Sequence, residues 1–178
     1  MSESRRRLLQ AGLGSLLLPA GPQVQAAPAT PPRPEPLARG ERVHWPQQPL
    51  ALLDGSLLDL QALRDQAVVL VFWASYCPFC RRHNPNVQAL HRAAAGKPLR
   101  VLTASFDRPE AARAYLRQNQ YDFPVTLEAK RLAPLFSTRD VLPLTVVVDR
   151  GGRLREVIPG EMFAEDVAEL IRHADRPA

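Results

Sequence analysis

The chain has 178 residues, 46% of them hydrophobic, with a formal net charge of +5 and only two cysteines. That length fits one domain with appendages. Beyond residues 1–26 the chain keeps 20 basic and 17 acidic residues of scattered sign; no basic face interleaved with aromatics marks a nucleic-acid reader.

The N-terminus reads SRRRLLQAGLGSLLLPAGPQVQAAPA. A basic start, a modest apolar stretch from Leu8 to Leu18 and a small-x-small site at Val24-Gln25-Ala26 form the pattern of an export signal. The apolar stretch is short and interrupted by glycine, a poor match to a membrane span of about 20 residues. Ser4-Arg5-Arg6 with Leu8 and Leu9 resembles a twin-arginine signal of bacterial export. Residues 1–26 are therefore expected to direct the chain to the periplasm, either cleaved or kept as a membrane anchor. Residues 27–42, APATPPRPEPLARGER, read as a proline-rich linker, because proline fixes φ and removes backbone donors. One folded domain is expected over 43–178.

Within it, Asp54-Gly55 centres a short hairpin between apolar segments. AVVLVFWA, residues 67–74, is an apolar run without alternation, as in a central strand buried on both faces. Pro78 and Pro85 bracket a turn and the first part of a helix, on which Val87, Leu90 and Ala94 keep a helical spacing until Gly96. LRVLTASF, residues 99–106, is a second strand. A helix follows with a stripe of Ala112, Tyr115 and Leu116. Residues 123–127 form a short extended segment, and KRLAPLF a short helix bent or interrupted at Pro134. Two strands then join at Asp149-Arg150-Gly151-Gly152. The last helix carries Phe163, Val167, Leu170 and Ile171 on one face. The order gives an α/β fold, a sheet with helices on both faces.

Both cysteines lie in WASYCPFCRRH, residues 73–83. Two thiolates alone are a poor structural zinc site, which takes four ligands. His83 and His91 would complete a set only by straining the helix that bears them. As a staple, a loop closed across three residues constrains little of the unfolded chain. An active dithiol explains more. The pair follows a buried strand and sits where a helix begins, so free N–H groups and the helix dipole can stabilise a thiolate. Cys77 is then the exposed nucleophile, and Cys80 the shielded thiol that resolves a mixed disulfide.

This segment resembles the active-site turn of the thioredoxin fold, and most resembles the TlpA/ResA-like, or DsbE-like, exported thiol–disulfide oxidoreductases. Pro85 falls at the family's helix-kinking proline. SFDRPEAARAYLRQNQYDFPV resembles its inserted strand and helix, and Leu142-Pro143-Leu144-Thr145 its cis-proline loop. The resemblance, over roughly residues 48–174, implies a thioredoxin-like central mixed sheet and a redox-active Cys77–Cys80 disulfide, with no bound cofactor or metal. It also implies that Pro143 belongs to the catalytic site. Trp73, Tyr76, Pro78, Phe79 and the backbone of Leu142 are then expected beside the substrate, the Leu142 backbone receiving an extended peptide as an added strand.

The sequence departs from the family in three places. Val71 stands where many thioredoxins carry a buried proton-accepting Asp, His83 where many TlpA/ResA-like proteins carry a Glu, and Tyr76 where Trp is usual. His83 is therefore a candidate proton acceptor for Cys80; its other reading is a surface histidine without a role. The expected activity is thiol–disulfide exchange on exported cysteine-containing proteins, in the reducing direction, with apocytochrome c as an example substrate and a membrane thiol reductase as electron donor. The alternatives are a periplasmic dithiol oxidant, or a peptide-binding or assembly protein without turnover. Peroxide reduction fits less well, because Ala74 stands where a peroxidatic site needs Thr or Ser three residues before its cysteine.

Overall fold

The structure, a computed structural model, describes residues 35–175. The expected export signal and the first part of the linker lie outside the described residues.

Strand β1 (Leu50–Ala51) pairs antiparallel with β2 (Leu57–Leu58). The turn between them holds Gly55 at φ +92°, a conformation open to glycine at little cost. The Asp54 carboxylate accepts from the Ser56 amide at 2.9 Å and the Ser56 hydroxyl at 2.7 Å, closing the expected hairpin.

The main sheet is built on β3 (Ala67–Trp73), buried at every residue. Ala67, Val69, Val71 and Trp73 enter one core, and Val68, Leu70 and Phe72 the other, which is why the strand shows no polar alternation. β4 (Leu99–Ser105) runs parallel to β3, and β6 (Leu144–Val148) antiparallel. Outside them lie β5 (Val125–Thr126), parallel to β4, and β7 (Leu154–Pro159), antiparallel to β6. The order is β5-β4-β3-β6-β7.

On the Trp73 face pack α1 (Pro78–Ala93), α2 (Pro109–Asn119) and α4 (Ala164–Glu169), through Val87 and Leu90, Ala112 and Tyr115, and Val167. The opposite face is covered by α3 (Ala129–Leu132), continued by a 3-10 turn over Ala133–Leu135, and by a second such turn at Leu60–Leu63. Pro134 lies in the tightened turn, as its missing N–H requires. This is a thioredoxin-like α/β fold: a central mixed sheet with helices on both faces.

Two details differ from the sequence reading. Phe163, assigned to the buried stripe of the last helix, is 80% exposed. It is the capping residue before α4, with extended φ/ψ, so the helical spacing starts one residue after it. The docked chain also begins inside the segment read as linker. Leu37 N–H donates to Leu135 O at 2.9 Å, Gly40 N–H to Leu154 O at 2.7 Å and Val43 N–H to Gly152 O at 2.8 Å, while Leu154 N–H donates to Glu41 O at 2.8 Å. Residues 37–43 thereby form a strap on the first residue of β7. At the other edge of the sheet, Leu53 N–H donates to Val125 O at 2.7 Å.

Candidate active site

β3 ends at Trp73, and the chain turns through Ala74, Ser75 and Tyr76 into α1. Cys77 N–H closes the turn on Ala74 O at 3.2 Å, and Cys77 O accepts from Arg81 N–H at 3.1 Å. Cys77 is the residue just before the helix, and Pro78 occupies the first helical position, where an N–H would have no partner in the helix. The first turn holds no acidic residue, so no side chain of that turn offsets the positive end of the helix at Cys77.

Both cysteines are free thiols, Cys77 half-buried and Cys80 buried one turn into the helix. Burial pushes the Cys80 thiol up to about 12; the Cys77 thiol and the charge of Asp107 add to the rise, and the Ala74 N–H opposes it. Cys80 thus stays protonated at neutral pH, as a resolving thiol held in reserve.

The Leu142-Pro143 loop is brought to this turn. Its peptide bond is cis, Pro143 O accepts from Gly160 N–H at 2.8 Å, and the Cys77 thiol donates to Leu142 O at 3.6 Å. Beside Cys77 lies a groove of about 660 Å³, lined by Tyr76, Pro78, Phe79, Phe106, Val141 and Leu142 among others. Tyr76 is 71% and Phe79 53% exposed. Of the residues expected beside a substrate, Tyr76, Pro78, Phe79 and Leu142 line this groove, and Pro143 lies buried behind it. Trp73 does not reach it. As the last inward residue of β3 it is wholly buried, against Tyr115 and Phe123 at ring-centroid distances of 5.1 and 6.2 Å.

His83 is also wholly buried, which removes the reading of a surface histidine. Its Nδ1 accepts from Met162 N–H at 3.3 Å, and its Nε2 lies 3.4 Å from the Thr145 hydroxyl. An Nδ1 that accepts leaves the proton on Nε2, which then donates to Thr145. Burial lowers its pKa below the ordinary histidine value, so the ring is neutral at pH 7. Thr145 pairs in register with Val71. The position of the missing Asp is therefore flanked by a neutral Thr–His pair that ties α1 to β6 and to the loop after β7. The hydrogen bonds found for both ring nitrogens go to these partners rather than to Cys80. The same loop is held again by Arg82, whose guanidinium pairs with Glu161 at 2.6 Å and lies 4.9 Å above the Phe79 ring.

Asp107 is the residue that sequence reasoning passed over. Its Oδ2 accepts from Ser75 N–H at 2.8 Å and from the Ser105 hydroxyl at 3.0 Å, and its Oδ1 from the Ser75 hydroxyl at 3.1 Å. A signal for it was available. In open α/β sheets functional groups gather beyond the carboxyl ends of parallel strands, and the register Trp73↔Ser105 sets residue 107 level with Ser75.

Among the described residues, no group of three or more His, Cys, Asp or Glu could hold a metal ion. The chemistry-bearing group is the cysteine pair itself.

Residues 44–157 match the AhpC/TSA family. The chain is 25% identical over 125 residues to the thiol-disulfide oxidoreductase ResA of Halalkalibacterium halodurans, covering 67% of this chain and 70% of that protein. It is 27% identical over 130 residues to the thioredoxin-like protein YneN of Bacillus subtilis, covering 71% and 75%. A solved structure of a secreted thiol-disulfide isomerase from Corynebacterium glutamicum superposes with a TM-score of 0.65 at 25% identity, over 74% of this chain and 85% of that one.

Proposed function

The chain belongs to the AhpC/TSA family and carries a ResA/TlpA/DsbE-like thiol–disulfide oxidoreductase domain of the thioredoxin superfamily, and on that premise we propose that it reduces disulfides in exported proteins through Cys77 and Cys80. The observation that carries the reading is the asymmetry of the pair: Cys77 half-exposed at a helix N-terminus beside the Leu142 carbonyl, Cys80 sealed one turn behind it.

In this reaction the Cys77 thiolate attacks one sulfur of a substrate disulfide. The substrate S–S bond breaks, and its other sulfur leaves as a thiolate that takes a proton from water. Cys80 then loses its proton and attacks Cys77 Sγ. The second substrate thiol departs, and the two electrons gained by the substrate are balanced by the Cys77–Cys80 disulfide. A dithiol donor, in our reading a membrane thiol reductase, returns the pair to its reduced form. Apocytochrome c before haem attachment is the substrate class favoured by the resemblance to TlpA/ResA-like proteins, and the signal-like pattern of residues 1–26 supports a reaction in the periplasm. Tyr76, Phe79 and the Leu142 backbone receive the peptide around its cysteine.

Insulin reduction tests the activity: wild-type turnover should be lost in Cys77→Ala, and a wild type no faster than that variant would favour binding without turnover. Direction is tested by the equilibrium potential of the pair. A value nearer to about −270 than to about −120 mV supports a reductant; the opposite result supports an oxidant.

A further inference from the structure

β4 runs past its outer neighbour. β5 pairs only with Thr103 and Ala104, so Arg100, near the start of β4, has no β5 residue beside it. A cavity of about 610 Å³ lies there, within the range of small-molecule sites. Arg100 pairs with Val68 of β3, five positions before Trp73, so about 17 Å of strand separates its backbone from the turn that bears Cys77. One wall of the cavity is apolar. α2 ends at Gln120, in the left-handed region at φ +55°, and Tyr121 N–H closes that end on Leu116 O at 3.0 Å, as in a Schellman cap. Leu116 and Tyr121 line this wall, the Tyr121 ring stacked on Phe123 at a centroid distance of 5.2 Å. Leu52, from the β1–β2 hairpin, extends it.

The rest of the lining is basic. His91 from the last turn of α1, Arg100 from β4, and Arg113 and Arg117 from α2 meet there. Two carboxylates share the lining, and both are engaged. Asp54 accepts from Ser56; Asp122 accepts from the Gln88 side chain and lies 3.9 Å from both His91 and Arg92. The Arg113 guanidinium donates to Leu53 O at 3.4 Å. Among the described residues, the guanidinium groups of Arg100 and Arg117 have no hydrogen bond or ion pair, and Arg100 Nε is buried without an acceptor. The field of Arg100 reaches His91: burial lowers the His91 pKa, Asp122 opposes that shift, and the charges of Arg100 and Arg92 add to it.

We infer that this cavity binds a small organic dianion, a phosphate monoester on an apolar body, with its oxygens on Arg100 and Arg117 and its body against Tyr121 and Leu116. A buried N–H without an acceptor costs free energy, and an oxyanion supplies the acceptor that Arg100 lacks. The guanidinium fork matches phosphate oxygens in geometry as well as charge. Three guanidinium groups, facing carboxylates that are already engaged, favour a doubly charged headgroup over a single carboxylate. The apolar wall favours an ester over inorganic phosphate. The site stands apart from the dithiol and does not rest on the exchange reading.

The experiment titrates 1-naphthyl phosphate into reduced full-length protein at pH 7.5 and about 0.15 M salt, read by isothermal titration calorimetry. The wild type should bind one equivalent with a Kd below about 1 mM. Inorganic phosphate and the neutral 1-naphthol should each bind at least about tenfold more weakly. Arg100→Gln and Arg117→Gln should each weaken binding of 1-naphthyl phosphate at least about tenfold, the value of one charge-assisted hydrogen bond, with the near-ultraviolet circular dichroism of each variant unchanged. The inference is overturned if the wild type gives no saturable heat up to about 5 mM ligand, or if both folded variants bind as the wild type does. Equal binding of 1-naphthol would remove the arginines from the site, and equal binding of inorganic phosphate would remove the apolar wall; either result overturns the assignment of an organic phosphate. Arg117 lies on the exposed side of α2, so Arg117→Gln decides the matter even where Arg100→Gln does not fold.

Discussion

The Cys77 thiol donates to the Leu142 carbonyl at 3.6 Å, so the nucleophile itself occupies a backbone acceptor at the mouth of the groove. Once Cys77 enters a mixed disulfide it has no S–H to donate, and that carbonyl is released for an incoming amide. A peptide disulfide N-methylated beside its cysteine should therefore be reduced about fivefold more slowly than its unmethylated parent, the equivalent of one hydrogen bond of about 1 kcal/mol. Comparison of kcat/KM for the two peptides checks this; equal values would remove the Leu142 carbonyl from substrate recognition.

The two thiols should differ sharply toward alkylation. At pH 7 iodoacetamide should modify Cys77 at least 10²-fold faster than Cys80, as read by mass spectrometry of the singly labelled protein. The fold also holds Cys80 neutral, with its pKa pushed up to about 12. In the unfolded chain a thiol ionises near about 8.5. The stability of the reduced protein that depends on a neutral Cys80 is therefore complete below about pH 8.5 and falls as pH rises from there toward 12, by at most about 1.4 kcal/mol per pH unit. Denaturant melts should show this loss in the reduced wild type and a shallower one in Cys80→Ala.

His83 should matter to stability through its partners. His83→Leu leaves the Met162 N–H without its acceptor, at a cost of about 1–3 kcal/mol, and His83→Asn should recover part of it. Because burial depresses the folded-state pKa, the contribution is present above the unfolded value of about 6.5 and is lost as pH falls below it. Urea midpoints at pH 7.5 and 5.5 should converge between wild type and His83→Asn on acidification. A constant gap would count against a buried neutral imidazole.

The exposed aromatics beside Cys77 should act on protein substrates alone. Tyr76→Ala and Phe79→Ala should each lower kcat/KM for reduced-protein formation about 5–10-fold, in line with the value of an aromatic contact at an interface. Their rate toward 2-hydroxyethyl disulfide, a small aliphatic disulfide with no ring to stack in the groove, should stay within about twofold of wild type. An equal loss with both substrates would mean that the aromatics shape the turn itself.

What could be read from the sequence was what local chemistry decides. The apolar run 67–74, the Asp54-Gly55 turn, the bend at Pro134 and the position of the cysteines at a helix start all follow from a few adjacent side chains. What could not be read depends on meetings across the sheet. Asp107 reaches Ser75 across 32 positions, and His83 is buried by Met162 and Thr145, which lie on other elements. Trp73 and Phe163 were misplaced for a related reason. Spacing gives the face of an element, but neither the depth of a strand's last residue nor the residue at which a helix begins.

The strap over β7 and the contact of Leu53 with β5 bear on how a partner chain can approach. Exposed sheet edges invite pairing with any extended chain. Here the outer strand β5 is two residues long and already engaged by Leu53, while β7 is covered at Leu154 by Gly40 and Glu41 and ends in Pro159, which has no N–H to offer. Strand pairing is thus limited at β5 and at the two ends of β7, and the Leu142 backbone acceptor bonded by the Cys77 thiol lies next to the reactive sulfur. For an extended chain arriving from outside, the margins of the sheet offer few free backbone groups, while the Leu142 carbonyl offers one beside the reactive sulfur.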